Sequence, residues 1–166
     1  MNPTFRKPIR VLGIDPYSRG FGFAVLKIPD KLVDWGIKEC RGDKNSECLE
    51  EIERLIDYYR PDVIAVEDCS RKGSRRCSRV RELIQGVFKL ALGRRIKIKT
   101  VSRVKVKDKF SKMGAQTKHE IATAIARRFP ELGSYLPPER KCYMSEDPRM
   151  SVFDAIGWGI AYLHKS

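Results

Sequence analysis

The segment VIAVE, Val63–Glu67, limits the fold more than any other stretch of the sequence. It is apolar at odd and even positions alike, so as a strand it offers apolar side chains to both faces of a sheet and needs cover on both. Its β-branched Val63, Ile64 and Val66 favour that conformation and place the segment in a sheet interior rather than at an edge. The run closes on an acid, Glu67. Upstream, residues 11–15 (VLGID) have the same form, a short apolar run closed by Asp15, and the alternating FGFAVL from Phe21 follows the turn residues 17–20. These two segments read as a hairpin, which residues 31–40 (KLVDWGIKEC) extend to an antiparallel three-stranded meander.

Helical spacing appears between and after these strands. Ser46 has the chemistry of an N-cap, and Leu49, Ile52, Leu55, Ile56 and Tyr59 recur at helical intervals up to Arg60, which predicts a helix that ends at Pro61. After VIAVE and a basic loop, Val80, Leu83, Ile84, Val87, Phe88, Leu90 and Ala91 predict a second helix closed by Gly93, and a strand follows at about residues 96–101. Residues 117–129 and 150–164 supply further helices, separated by a Pro-rich stretch containing LPPER and SEDPR. The order β-β-β-α-β-α-β, then helices, is an α/β fold with a mixed five-stranded sheet and helices on both faces. At 166 residues, with no internal repeat and no low-complexity linker, the chain reads as a single domain over residues 1–166.

Composition excludes several classes. Hydrophobic residues at 42% with charged residues at 33% fit a globular protein, and no apolar run approaches the roughly 20 residues that cross a bilayer. The basic N-terminus, MNPTFRKPIR, lacks the apolar stretch of a secretory signal, which points to the cytoplasm. Five cysteines with no CxxC pair predict free thiols rather than a zinc site or a disulfide framework. Net charge is +13, and it is unevenly spread: residues 69–128 carry nineteen Lys and Arg against Glu82, Asp108 and Glu120, a local charge of +16. One strongly basic surface for a polyanion is the expectation, with nucleic-acid phosphates the usual partner.

Three acids stand where an acid is costly unless used. Asp15 ends the first strand, Glu67 ends the fourth, and Asp154 lies one turn into a helix otherwise built from Phe153, Ala155, Ile156, Gly157 and Ile160. Singly, each has an ordinary explanation: a turn residue before Pro16, a strand end in water, a dipole partner near a helix N-terminus. Jointly they suit a cation. Adjacent strands bring their ends to one sheet edge, a helix packed there presents a third carboxylate, and carboxylates crowded this way repel unless protonated or bridged. Oxygen ligands on a rigid scaffold are what magnesium or manganese require, and two such ions serve phosphodiester hydrolysis.

At these residues the sequence resembles a known family. LGIDPYSRGFGFAVL is similar to the first hairpin of RuvC-type Holliday-junction resolvases, VIAVE to their second acidic strand, QTKHEIATAIARRF to the helix after their last strand, and FDAIGWGIAYL to their closing helix. The order and spacing extend over most of the chain. The resemblance implies a ribonuclease-H-like nuclease: a magnesium- or manganese-dependent, structure-selective endonuclease of branched or duplex DNA. It also implies that Asp15, Glu67 and Asp154 are catalytic metal ligands, that hydrolysis leaves a 5′-phosphate, and that the protein is a homodimer. No small-molecule organic cofactor is implied. Two departures stand out. The family's fourth ligand, Asp or His one turn before the last Asp, is Ser151 here, which turns attention to Asp147 or Glu146 as a substitute. After Glu67, the residues Asp68, Cys69 and Ser70 offer no aromatic ring to stack on an unpaired base. A YqgF-like nuclease acting on RNA and a non-catalytic nucleic-acid-binding module of the same fold remain alternatives.

The remaining polar residues sort by place. Arg71, Lys72, Arg75 and Arg76 follow the Glu67 strand directly and are expected to contact nucleic-acid backbone, as are Lys107 and Lys118, which flank the next loop and helix. His119 reads as a helix-surface residue and His164 as a partner of a helix C-terminus, while Trp158 and Tyr162 read as packing residues.

Overall fold

Alternation along the first two strands divides the interior into two layers. The computed structural model of the protein describes residues 7–70 and 77–162. Strand β1 (Arg10–Tyr17) turns Leu12 and Ile14 to one face and Val11 to the other, and β2 (Gly20–Lys27) sends Phe21, Phe23 and Val25 one way and Ala24 and Leu26 the opposite way. Strand β3 (Lys31–Glu39) completes the antiparallel meander, while β4 (Val63–Glu67) and β5 (Lys97–Val101) run parallel to β1. The sheet order is β3-β2-β1-β4-β5, a mixed five-stranded sheet as the sequence predicts.

Helices cover both faces. Helix α1 (Lys44–Tyr59) and helix α2 (Ser78–Gly93) bury Ile52, Leu55, Leu83 and Val87 against the Leu12 and Ile64 side. Helix α3 (Arg103–Ser111), helix α4 (Lys118–Arg128) and helix α5 (Met150–Tyr162) enclose the Val11 and Ala65 side with Phe110, Ile125, Phe153 and Trp158. Helix α5 is apolar on nearly every side because it lies in the middle of that layer, over β1 and β2. No helix among the described residues is long and apolar enough to cross a membrane.

The structure departs from the sequence reading in three local places. Helix α1 begins at Lys44, so Ser46 lies inside its first turn, and the free amides before it are met instead by Glu47, which accepts from the N–H groups of Arg41 and Gly42 at 3.1 Å each. Its end is as predicted, with Arg60 in the left-handed region at φ 47° ahead of Pro61. Helix α3 was not anticipated. Only Val106 and Phe110 of its nine residues are buried, too narrow a stripe to show as periodicity, and its signature is instead the cap, where Ser102 accepts from the Lys105 N–H at 3.2 Å. Finally, the basic segment does not form one surface. Arg94 at the end of α2 pairs with Glu53 and Asp57 of α1 on the far layer, whereas α3 and α4 carry their cations on the α5 side.

Candidate active site

Two-residue periodicity decides where the strand-end acids point. Val11 and Gly13 of β1 and Val63 and Ala65 of β4 face the α5 layer, and Asp15 and Glu67 are the next members of those two series. The register sets Ile14 beside Val66, so Asp15 stands level with Glu67, the last residue of β4; β1 does not end at Asp15 as the sequence suggests but runs on to Tyr17 against β2. The carboxyl edge is where open α/β sheets bind their ligands. Asp15 is only 3% exposed.

Helix α5 supplies the third acid by resting its backbone on the strands. A Cβ at Gly13 would stand 2.1 Å from the Ala155 carbonyl oxygen, and one at Gly22, the residue across the hairpin from Asp15, would stand 2.2 Å from Ser151 Oγ. Only the missing side chains permit that approach. Asp154 precedes Ala155 and is thereby held at the edge of β1, with its side chain 12% exposed, as is that of Glu67.

Cations already lie between these carboxylates. The Arg103 guanidinium reaches both: Nε is 3.5 Å from Glu67 Oε1 and Nη1 is 3.5 Å from Asp154 Oδ1, with the group stacked 5.3 Å from the centre of the Trp158 ring. Lys118 Nζ lies 3.0 Å from Asp154 Oδ2 and also meets Glu146. Burial alone would lower the Lys118 pKa, but Asp154 and the hydrogen bond to Glu146 outweigh it and raise the pKa above its ordinary value. Arg103 and Lys118 are each the first residue of a helix, α3 and α4, where the helix dipole disfavours a cation. Their placement there follows from the carboxylates opposite.

The other predicted residues fall into distinct positions. Lys107, one turn beyond Arg103, is exposed and borders a cavity of about 100 Å³ that it shares with Arg103, Lys118, Asp154 and Trp158. Asp147 has both carboxylate oxygens engaged by Arg149, whose backbone N–H donates to Oδ1 at 2.9 Å, Nε to Oδ1 at 3.0 Å and Nη2 to Oδ2 at 2.7 Å; these bonds hold its pKa below the usual carboxylate range despite partial burial. Glu146 reaches the acids through Lys118. Ser151, where the resemblance implies a fourth ligand, is buried and donates its hydroxyl to the Pro148 carbonyl at 2.6 Å. Asp68 begins the loop after β4, its N–H donating to Val101 O at 2.8 Å and its Oδ1 accepting from Ser70 N and Oγ at 3.0 and 2.6 Å. Arg71, Lys72, Arg75 and Arg76 lie outside the described residues, as does His164. His119 Nε2 is 3.1 Å from the Pro137 carbonyl and pins the Pro-rich stretch to α4. Trp158 is buried in the core, as read from sequence.

The donor set suits a hard cation, being three carboxylates at one sheet edge, two of which already bracket a single positive group. Among the described residues, however, no group of three His, Cys, Asp or Glu side chains is placed to hold a metal ion. Arg103 is the site residue that sequence reasoning missed. The signal was present in Ser102 followed by a cation at the first helical position, an arrangement that helix electrostatics disfavours.

No protein-family model matches the sequence, and no curated protein matches it. Solved structures do resemble it. Thermus thermophilus RuvC aligns with a TM-score of 0.67 at 17% identity over 93% of both chains, and the same protein in complex with a Holliday junction substrate with a TM-score of 0.70 at 16% identity over 93% of both. The yeast mitochondrial Holliday junction resolvase Ydc2 aligns with a TM-score of 0.63 at 14% identity over 96% of this chain and 80% of that one. At such identities the likeness establishes the fold, and the fold is that of these resolvases.

Proposed function

We propose that the chain is a cytoplasmic, homodimeric, divalent-metal-dependent endonuclease that recognises branched DNA and cuts four-way junctions. The observations that support this reading are the level placement of Asp15 and Glu67 on neighbouring parallel strands and the Arg103 guanidinium that reaches both Glu67 and Asp154, with Lys118 on Asp154 as well. Likeness of fold to the junction-bound RuvC adds to it. Asp15, Glu67 and Asp154 would hold magnesium or manganese, which would supply Lewis-acid charge for hydrolysis of a phosphodiester to a 5′-phosphate end.

The chain's own residues perform the rest. Asp15, buried on β1, and Glu67, level with it on β4, have their backbones fixed by the sheet. Asp154 is fixed by the seat of α5 on Gly13 and Gly22. Lys118, paired with Asp154, would balance charge that develops on a phosphate brought to the acids. Lys107 and the basic residues 71–76 hold the flanking backbone. Asp147 is a candidate for the fourth ligand only where Arg149 releases it.

The test is a panel of three labelled substrates of related sequence, a four-way DNA junction, linear duplex DNA and structured RNA, incubated with the protein and manganese or magnesium. Paired nicks in the junction with 5′-phosphate ends, at least about tenfold faster than scission of the duplex, are expected. Preferential cutting of RNA, or no strand scission with either metal, overturns the proposal.

A further inference from the structure

We infer that Tyr143 recognises the branch point of a junction, its ring stacking on a base left without a stacking neighbour where the duplex arms meet. The inference rests on the reading of the protein as one that binds branched DNA. Tyr143 lies in the Pro-rich connection between α4 and α5, where residues 138–146 are exposed without a break. Both ends of that stretch are fastened to the first turn of α4: the Pro137 carbonyl stands 3.1 Å from His119 Nε2, and Glu146 pairs with Lys118, the residue before His119. Lys118 Nζ is in turn 3.0 Å from Asp154. The stretch is therefore a closed loop rooted beside the acids, of the compact kind whose ends lie together and which often carries function. Three peptide steps of about 3.8 Å join Tyr143 to Glu146, so its Cα lies within about 11 Å of the residue that reaches the Lys118–Asp154 pair.

The loop holds its ring out to solvent. Tyr143 is 79% exposed and Met144 47%. The turn that carries them is closed twice, by the Met144 N–H donating to the Lys141 carbonyl at 3.0 Å and by Arg140 Nη1 donating to the Met144 carbonyl at 3.1 Å. A turn held in place beforehand lowers the ordering cost of binding. Arg140 and Lys141 lie just upstream, and of the two acids in the stretch, Glu139 and Glu146, the latter is paired with Lys118. An aromatic ring beside cations is the combination that holds a base by stacking and its backbone by charge. Bases inside a continuous duplex have both faces covered, whereas a base at a branch point can present one, so the ring favours a junction over linear DNA. Other tyrosines lack this setting. Tyr58 is equally exposed at 79%, but it lies at the end of α1 on the opposite layer, edge-on to Tyr59 with ring centres 4.8 Å apart and next to Asp57. Tyr17, at the acid edge, is half-buried with its hydroxyl on Glu39 at 3.4 Å. The loop after Glu67, residues 68–77, contains no aromatic residue.

Binding of labelled DNA to the full chain in calcium, at one salt concentration, tests this with wild type, Tyr143→Ala, Tyr143→Phe and Tyr58→Ala. The probes are a four-way junction carrying 2-aminopurine at the branch point and the matching linear duplex. Tyr143→Ala is expected to bind the junction at least about fivefold more weakly than wild type, the lower end of what base–aromatic stacking contributes, with duplex affinity unchanged. Tyr143→Phe, which keeps the ring, should match wild type, as should Tyr58→Ala. The 2-aminopurine fluorescence should change when wild type or Tyr143→Phe saturates the junction, and should stay near that of the free junction with Tyr143→Ala. Junction affinity of Tyr143→Ala equal to that of wild type, or an equal loss on junction and duplex, overturns the inference while leaving junction binding standing. A wild type that binds the junction no better than the duplex overturns the proposed function, and this inference with it.

Discussion

Lys109 holds a charge where water is scarce. Its Nζ donates to the Ile160 carbonyl at 3.0 Å near the end of α5, and burial, then the neighbouring Arg128, lowers its pKa from 10.5 to about 8. Between those two values the unfolded chain binds a proton that the folded chain has lost, so this group's contribution to stability rises with pH across that window. Below about pH 8 the charged lysine opposes folding, and the opposition is relieved as pH climbs towards 10.5. Melting curves of wild type and Lys109→Met at pH 7, 8.5 and 10 should show the wild type gaining on the variant as pH rises; a constant difference contradicts the assignment. Residues of this kind are invisible in sequence, because their chemistry depends on which carbonyl folds above them. The acids were legible for the opposite reason: Asp15, Glu67 and Asp154 each interrupt or close an apolar run, a pattern that needs no structure to be seen. Asp147 shows the boundary between the two cases. Its position near the helix is plain in the sequence, but its three bonds from Arg149 exist only in the turn that joins them.

The seat of α5 on the sheet is the element contact on which the site depends. Gly13 lets the Ala155 carbonyl lie against β1, and a methyl group there would meet a backbone atom at 2.1 Å that cannot rotate away. Overpacking a core costs about 1–3 kcal/mol and more where backbone must shift, so Gly13→Ala should destabilise by about 3 kcal/mol or more, read from the urea midpoint at unchanged slope. It should also slow cleavage by moving Asp154 relative to Asp15. A change within about 0.5 kcal/mol, the range of ordinary surface substitutions, would show that α5 is not seated this way. Strands and long helices could be read in advance because each buries a wide stripe: VIAVE on both faces, α2 through Val80, Leu83, Ile84 and Val87. Helix α3 could not, since two buried residues among four cations carry too little periodicity, and with it the sequence reading lost Arg103.

At the scale of the whole molecule, charge and topology act together. The net charge of +13 is large, but the structure divides it: Arg94 is neutralised by α1 on one face, while α3 and α4 bring Arg103, Lys107 and Lys118 to the face that holds the acids. On the proposed function, cations on that face draw in a polyanion, and the parallel pair β1 and β4 presents carboxylates where it would arrive. The fold class was legible from element order alone, because few α/β topologies accept a meander followed by two parallel strands. Which cations face the site was not, since α2, α3 and α4 are similarly basic in sequence and differ only in the layer they join. The most direct measurement compares wild type with Asp15→Asn and Asp154→Asn on a synthetic four-way junction in manganese, with binding measured separately in calcium. Residues that merely orient metal ligands already matter 10–100-fold, so loss of a ligand should slow cleavage by at least about 100-fold while junction affinity changes no more than a few-fold. Near-normal cleavage by either variant would contradict the account.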